Sequence, residues 1–335
     1  MYITSIVFTL LFIALNLQAQ KTYYVTPTGT GQGNSWSDSS SDINAVLFAA
    51  KSGDQVWVAK GTYLPTADTD RSIAFFIPSD VKMYGGFVGN ETELSQRNFA
   101  DNLTILSGEI NSPSPADNSY NVVVFKHAST QTVLDGFTVS GGTGNGDGTT
   151  GDRNRCGGGI YNDGAGRGNA STPTVANCIF KNNSSRDGGA VYNNGISGKA
   201  NAAFENCDFS ANHADFDGGA VFNDGRKGGQ SNSVFINCRI VGNTANYGGG
   251  VINYAGAGES SPIFENCMFA KNEAKVRGGG MYNMDVEGVC EPTIKHCSFT
   301  ANDASTGASM ENLSTVRPSA ARENFALDTP REWSN

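Results

Sequence analysis

Gly157-Gly-Gly-Ile-Tyr-Asn162, Gly188-Gly-Ala-Val-Tyr-Asn193, Gly218-Gly-Ala-Val-Phe-Asn223, Gly248-Gly-Gly-Val-Ile-Asn253 and Gly278-Gly-Gly-Met-Tyr-Asn283 are copies of one hexapeptide, returning at steps of 31, 30, 30 and 30 residues. A degraded copy follows at Gly307-Ala-Ser-Met-Glu-Asn312. Between them fall Cys178, Cys207, Cys238, Cys267 and Cys297, at steps of 29, 31, 29 and 30. A fixed period of this length marks stacked supersecondary units, none of which buries its apolar residues alone.

Composition agrees with stacked strands and tight turns rather than helices. Of 335 residues, 42 are glycine and only 16% are charged. The formal charge of -9 opposes binding to nucleic acid. Residues 1–20 read as a signal peptide: Met1 to Ala19 is an uncharged, mostly apolar run that ends before Lys21. A membrane anchor is the competing reading, and the run is short for a spanning helix. No later stretch is apolar enough to span a bilayer, so the mature chain is expected to be exported, and secreted or held at the outer cell surface.

Ahead of the repeats, Ser41 to Lys51 places Ile43, Val46, Leu47 and Ala50 at helical spacing, with Ser41 as N-cap and Asp42 in the first turn. This predicts a short N-terminal helix that caps one end of the stack and blocks end-to-end association. Gly53 to Tyr63 reads as the first coil. Short β-branched or aromatic strands follow over Ile73–Phe87, Leu103–Ile110 and Asn121–Val139. With no helical pattern between them, parallel strands are joined by winding into a solenoid. The expected organisation is all-β, a right-handed parallel β-helix over residues 21–312 in about nine coils, regular from 156 to 312. A loosely ordered tail is expected over 313–335.

The Gly-Gly-Ala-Val-Tyr-Asn and Phe-x-x-Asn pattern resembles the repeats of polymorphic outer-membrane proteins and of many surface β-helix proteins of Bacteroidota. Tyr23-Tyr-Val-Thr-Pro-Thr-Gly29 and Gly53-Asp-Gln-Val-Trp-Val-Ala-Lys-Gly-Thr-Tyr63 resemble the capping coil of pectate-lyase-like folds. The resemblance implies fold rather than activity. The outer-membrane relatives end in a translocation barrel, and nothing after Asn312 is long enough to be one.

In such a coil, equivalent residues stack at about 4.8 Å and each repeated position becomes a ladder. Phe180, Phe209, Ile240, Phe269 and Phe299 form an apolar ladder, with the cysteines on the same inward face. Asn183, Asn212, Asn243, Asn272 and Asn302 form an amide ladder at a turn. The stacked cysteines are expected to be mostly free, because their Cβ atoms are separated by about the strand spacing rather than the ~3.8 Å of a bridge. A zinc site lacks support: there is no Cys-x-x-Cys, and His296 is the sole nearby imidazole.

Relatives of this fold that cleave acidic polysaccharides use an Arg or Lys base, often with Ca²⁺ held by carboxylates. The position before each Gly-Gly reads Asp187, Asp217, Tyr247 and Arg277; the position after each Tyr-Asn-like pair reads Asp163, Asn194, Asp224, Tyr254 and Met284. Asp187, Asp217 and Arg277 are thus the catalytic candidates. Tyr247, Tyr254 and Arg186 are candidate ligand contacts in a sugar-binding groove. The plainer reading makes all of these solvated turn residues beside glycines. Gly141 to Asp147 resembles a calcium-binding β-roll nonapeptide with its aspartate one place late, so Asp147 and Asp152 are the candidates for a Ca²⁺ site; no other cofactor is expected. His127, His213 and His296 lie in unrelated settings and do not support Ser/His/Asp catalysis. Two functions remain: a glycan-binding or adhesin-like solenoid whose partner is an extracellular glycan or host-surface component, with contacts from variable loops after each Tyr-Asn, or a lyase or hydrolase acting on a uronate-containing polymer.

Overall fold

The computed structural model describes residues 20–110 and 114–314, so the signal-peptide segment lies outside the described residues, as does the tail from 315 onward. The chain winds into a parallel β-helix. One coil shows the order: Thr174–Ala176 enters the first sheet, Ile179–Lys181 the second, Ser184–Asp187 the third and Val191–Asn194 the fourth. The next coil returns to the first sheet at Ala203–Glu205. Strands one coil apart pair in parallel in all four sheets. The first sheet has nine strands, the second and fourth have eight each, and the third has six. No helix among the described residues is long and apolar enough to cross a membrane.

Local sequence sets the corners. Asn177, Asn206, Asn237, Asn266 and His296, each just before a ladder cysteine, have φ between 51° and 55°. Asparagine tolerates this left-handed conformation better than most residues. At the Gly-Gly corner, Gly188 has φ 64°, and a Cβ on Gly189 would lie 2.3 Å from the Gly219 carbonyl oxygen of the next coil. The hexapeptide needs glycine there for both conformation and close approach.

Stacked side chains fill the interior. Phe180 and Phe209 stack at 4.9 Å, as do Phe269 and Phe299 at 4.5 Å. A second aromatic column runs up the first sheet, with Phe204 on Phe235 at 4.8 Å and Phe235 on Phe264 at 4.7 Å. The turn ladder is continuous: Asn183 Nδ2 donates to Asn212 Oδ1, Asn212 to Asn243, Asn243 to Asn272 and Asn272 to Asn302, at 2.9–3.1 Å. A further buried amide ladder runs through the last residue of each hexapeptide, from Asn162 through Asn193, Asn223, Asn253 and Asn283 to Asn312. All seven cysteines are free, and Cys207 Sγ points at the Val175 carbonyl of the preceding coil at 3.5 Å.

The N-terminal helix is shorter than its periodicity suggests, Ile43–Ala49, and Asp42 rather than Ser41 is the N-cap, accepting from the Ala45 N–H at 2.9 Å. A carboxylate caps as well as a hydroxyl and also answers the helix dipole. Ile43, Val46 and Leu47 join the solenoid core, which the helix closes at that end. The last strand, Met310–Ser314, carries regular structure two residues into the expected tail.

Candidate functional site

The two charged rows read from the sequence become real rows. Asp187 pairs with Asp217, Asp217 with Tyr247 and Tyr247 with Arg277 at the ends of strands in the third sheet. Their register survives unequal strand lengths because each pairing contains a bulge; the five-residue strands His213–Asp217 and Glu273–Arg277 alternate with four-residue ones. Asp163, Asn194, Asp224, Tyr254 and Met284 pair in the same way in the fourth sheet.

The carboxylates between these rows are turned into the protein. Asp187 and Asp224 are both fully buried. Asp187 Oδ2 accepts from the Arg186 guanidinium and lies 3.8 Å from Cys156 Sγ. Asp224 accepts from Arg226 Nε at 2.8 Å and from the Tyr192 hydroxyl, and Arg226 Nη2 bonds its second oxygen. Arg186 also lies 4.4 Å over the Phe216 ring, and Arg226 lies 5.1 Å over Tyr254. Burial pushes the Asp187 carboxyl up despite the Arg186 charge.

Asp217 is half-buried at the end of its strand, while the other candidates are engaged. Tyr247 stacks on Tyr282 at 5.9 Å, and Arg277 Nη1 pairs with Glu311 at 3.1 Å. The glycine-rich insert around 145–156 folds across the outer face of the fourth sheet, where the Tyr161 hydroxyl donates to the Gly151 carbonyl at 2.6 Å and accepts from Asn194 Nδ2 at 2.6 Å. Within that insert Asp152 closes its own turn, accepting from the Thr149 hydroxyl at 3.2 Å, while the Asp147 carbonyl accepts from Asn154. Among the described residues no group of three or more His, Cys, Asp or Glu side chains is arranged to hold a metal.

A second feature lies in the loops after each Tyr-Asn-like pair. These loops stack instead of varying freely. Ala170–Ser171 pairs with Lys199–Ala200, and single bridges continue from Lys199 to Gln230, Glu259 and Val289. Glycine makes this possible: a Cβ on Gly225 would lie 1.8 Å from the Glu259 carbonyl oxygen. The stacked loops enclose an open groove of about 800 Å³ across successive coils. Its polar lining comes from Arg167, Asn169, Lys199, Gln230 and Glu259, with Gly168 and Gly228 exposed between them and Gly198 and Gly229 buried by the stacking. Gln230 Nε2 and Asn232 Nδ2 each donate to the Glu259 carboxylate at 2.7 Å and fix its position. The sequence signal was present in Gly195 and Gly225, 30 residues apart, and in Gly198, Gly229, Gly258 and Gly288 at steps of 31, 29 and 30.

Comparison with known proteins agrees with this architecture. Residues 177–194 match the Chlamydia polymorphic membrane protein repeat. The chain superposes on pectate lyase Pel9A with TM-score 0.52 and 15% identity over 80% of its own length, spanning 62% of that enzyme. A pectin methylesterase from Aspergillus niger gives TM-score 0.40 at 16% identity, covering 88% of this chain and 90% of that one. A rhamnogalacturonan lyase gives 0.39 at 15%, covering 79% and 73%. The last two scores carry no argument. No curated protein sequence matches the chain. At this identity the likeness to Pel9A is one of fold: the chain is a parallel β-helix of the pectate lyase type.

Proposed function

We propose that this chain is a secreted or cell-surface, adhesin-like β-helix protein that binds an extracellular glycan along the stacked-loop groove. The observation that carries the reading is the groove itself, which runs across five successive loops and presents Arg167, Lys199, Gln230 and Glu259 in turn. Such a floor offers a linear polymer a polar side chain from each of several successive coils. Of the lyase candidates, Asp187 is sealed in an ion pair with Arg186 and Arg277 is paired with Glu311, so neither is offered to a substrate as a free charge, whereas Asp217 stays half-buried on its rung. The signal-peptide reading of residues 1–20 and the resemblance to surface repeats support an extracellular partner, and the formal charge of -9 argues against nucleic acid.

Affinity electrophoresis tests this directly. Native gels cast with individual plant, algal or host glycans should retard the wild-type chain on at least one polymer. Lys199→Glu and Arg167→Glu, both at exposed positions, should restore free mobility without changing the thermal melt. Retardation by no glycan, or identical retardation of the groove variants, contradicts the assignment.

A further inference from the structure

The corner around Asp187 has one negative charge more than its own cations answer. Asp187 and Asp217 stand on adjacent rungs, and Asp224, on the neighbouring sheet, acts on Asp217 through its charge. Two guanidiniums face them, with Arg186 committed to Asp187 and Arg226 committed to Asp224. Asp187 is fully buried, yet its Oδ1 has no hydrogen-bond partner. The adjoining rung of the ladder, paired with it position for position, is Asp217. The other titratable groups packed about this corner are Cys156 beside Asp187, Tyr192 on Asp224, and Tyr247 and Tyr282, with Arg277 held by Glu311.

From this geometry we infer that Asp187 and Asp217 share a single proton at mildly acidic pH, Asp217 carrying it as a carboxylic acid on the rung next to the orphan Oδ1 of Asp187. Ionised, Asp217 would put a second carboxylate charge on the next rung and leave the buried acceptor unsatisfied. Protonated, it removes the surplus charge and places an O–H donor on the rung beside that acceptor. Burial, and after it the Asp187 charge, push the Asp217 carboxyl up to about 7. This goes beyond the glycan reading and holds whether or not the groove binds a sugar.

The pair makes the corner a pH-sensitive rung. The unfolded Asp217 carboxyl titrates near its ordinary 3.8 and the folded one near 7, so the unfolded chain binds fewer protons between those values. The native state is most favoured below pH 3.8 with respect to this group. That advantage falls as pH rises and is lost once the folded carboxyl ionises at about 7.

Carbon-detected NMR of the side-chain carboxyls in the mature chain reads the proton directly. The expected result is one aspartate carboxyl with a midpoint near 7, absent from Asp217→Asn, while Asp187→Asn shifts that midpoint downward by about a unit or more. In parallel, the melting temperature of the wild type should fall between pH 5 and pH 8, and that of Asp217→Asn should stay level over the same range. An Asp217 carboxyl titrating near 4 in the wild type overturns the inference even if neither variant folds. So does the same pH dependence of melting in wild type and Asp217→Asn.

Discussion

Replacing Asn243 with alanine cuts the inner amide ladder at its centre. The Asn243 side chain is completely buried. Its Oδ1 accepts from the Asn212 backbone N–H at 2.9 Å and from Asn212 Nδ2 at 3.0 Å, and its Nδ2 donates to the Phe209 carbonyl at 2.9 Å and to Asn272 Oδ1 at 2.9 Å. Alanine leaves the Asn212 backbone N–H and one of the two Asn212 Nδ2 hydrogens without an acceptor and takes the amide donor from the Phe209 carbonyl, whereas Asn212 Nδ2 keeps the Phe180 carbonyl at 2.9 Å and Asn272 Oδ1 keeps the Asn243 backbone N–H at 3.0 Å. Each buried group left unsatisfied costs about 1–3 kcal/mol, and relaxation or a trapped water recovers part of the sum, so the expected loss is about 3–6 kcal/mol. A solenoid couples only neighbouring coils, so the cut also weakens cooperation between the two halves. Urea unfolding followed by circular dichroism should show an earlier midpoint and a broader or divided transition. Asn302→Ala, at the half-buried end of the same ladder, should cost less. A loss below about 1 kcal/mol for Asn243→Ala, or equal losses at the two positions, would refute the view that these amides hold coil to coil.

Phe209→Ala should destabilise by about 3–5 kcal/mol, since Phe209 is fully buried between Phe180 and the neighbouring column. Phe216→Ala, at a residue 46% exposed, should cost under about 1 kcal/mol in the same urea titration. Alkylation of denatured, unreduced protein followed by mass spectrometry should label all seven cysteines, and any disulfide found would contradict the free ladder. Gly225→Ala should lower the melting temperature, with about 1–3 kcal/mol lost to overpacking, because its Cβ would collide with the Glu259 carbonyl. Gly242→Ala should cost only about 1–2 kcal/mol, from its left-handed φ of 66° alone: nothing lies within 4 Å of its Cβ, and Ala211 and Ala301 hold the same corner in other coils.

The ladders were legible because each depends on one residue type recurring at a constant spacing. Phe180 and Phe209, or Asn183 and Asn212, can be aligned without coordinates, and the period alone implies that they stack. The row Asp187, Asp217, Tyr247 and Arg277 was legible for the same reason, although bulges alter the distance from the preceding cysteine. What each member of the row does was hidden. Whether Asp187 meets solvent depends on the insert around 145–156 and on which way Arg186 turns, and Asp224 is neutralised by Arg226 from a loop that looks variable. The stacked-loop groove was missed because its regularity lies in backbone pairing through glycines, which carry no side-chain pattern to read. At the helix, Ser41 and Asp42 are both good caps, and local sequence does not choose between them.

The central claim is that this β-helix binds a glycan and leaves it intact. It is tested most directly by incubating the mature chain with a panel of polyuronates, with and without Ca²⁺, while following the ultraviolet absorbance of unsaturated uronate ends. The account predicts no rise in absorbance with any polymer, together with retention of the chain on a glycan that depends on Lys199. A Ca²⁺-dependent rise that Arg277→Ala abolishes would contradict it and place a lyase site at the end of the Asp187–Asp217–Tyr247–Arg277 row.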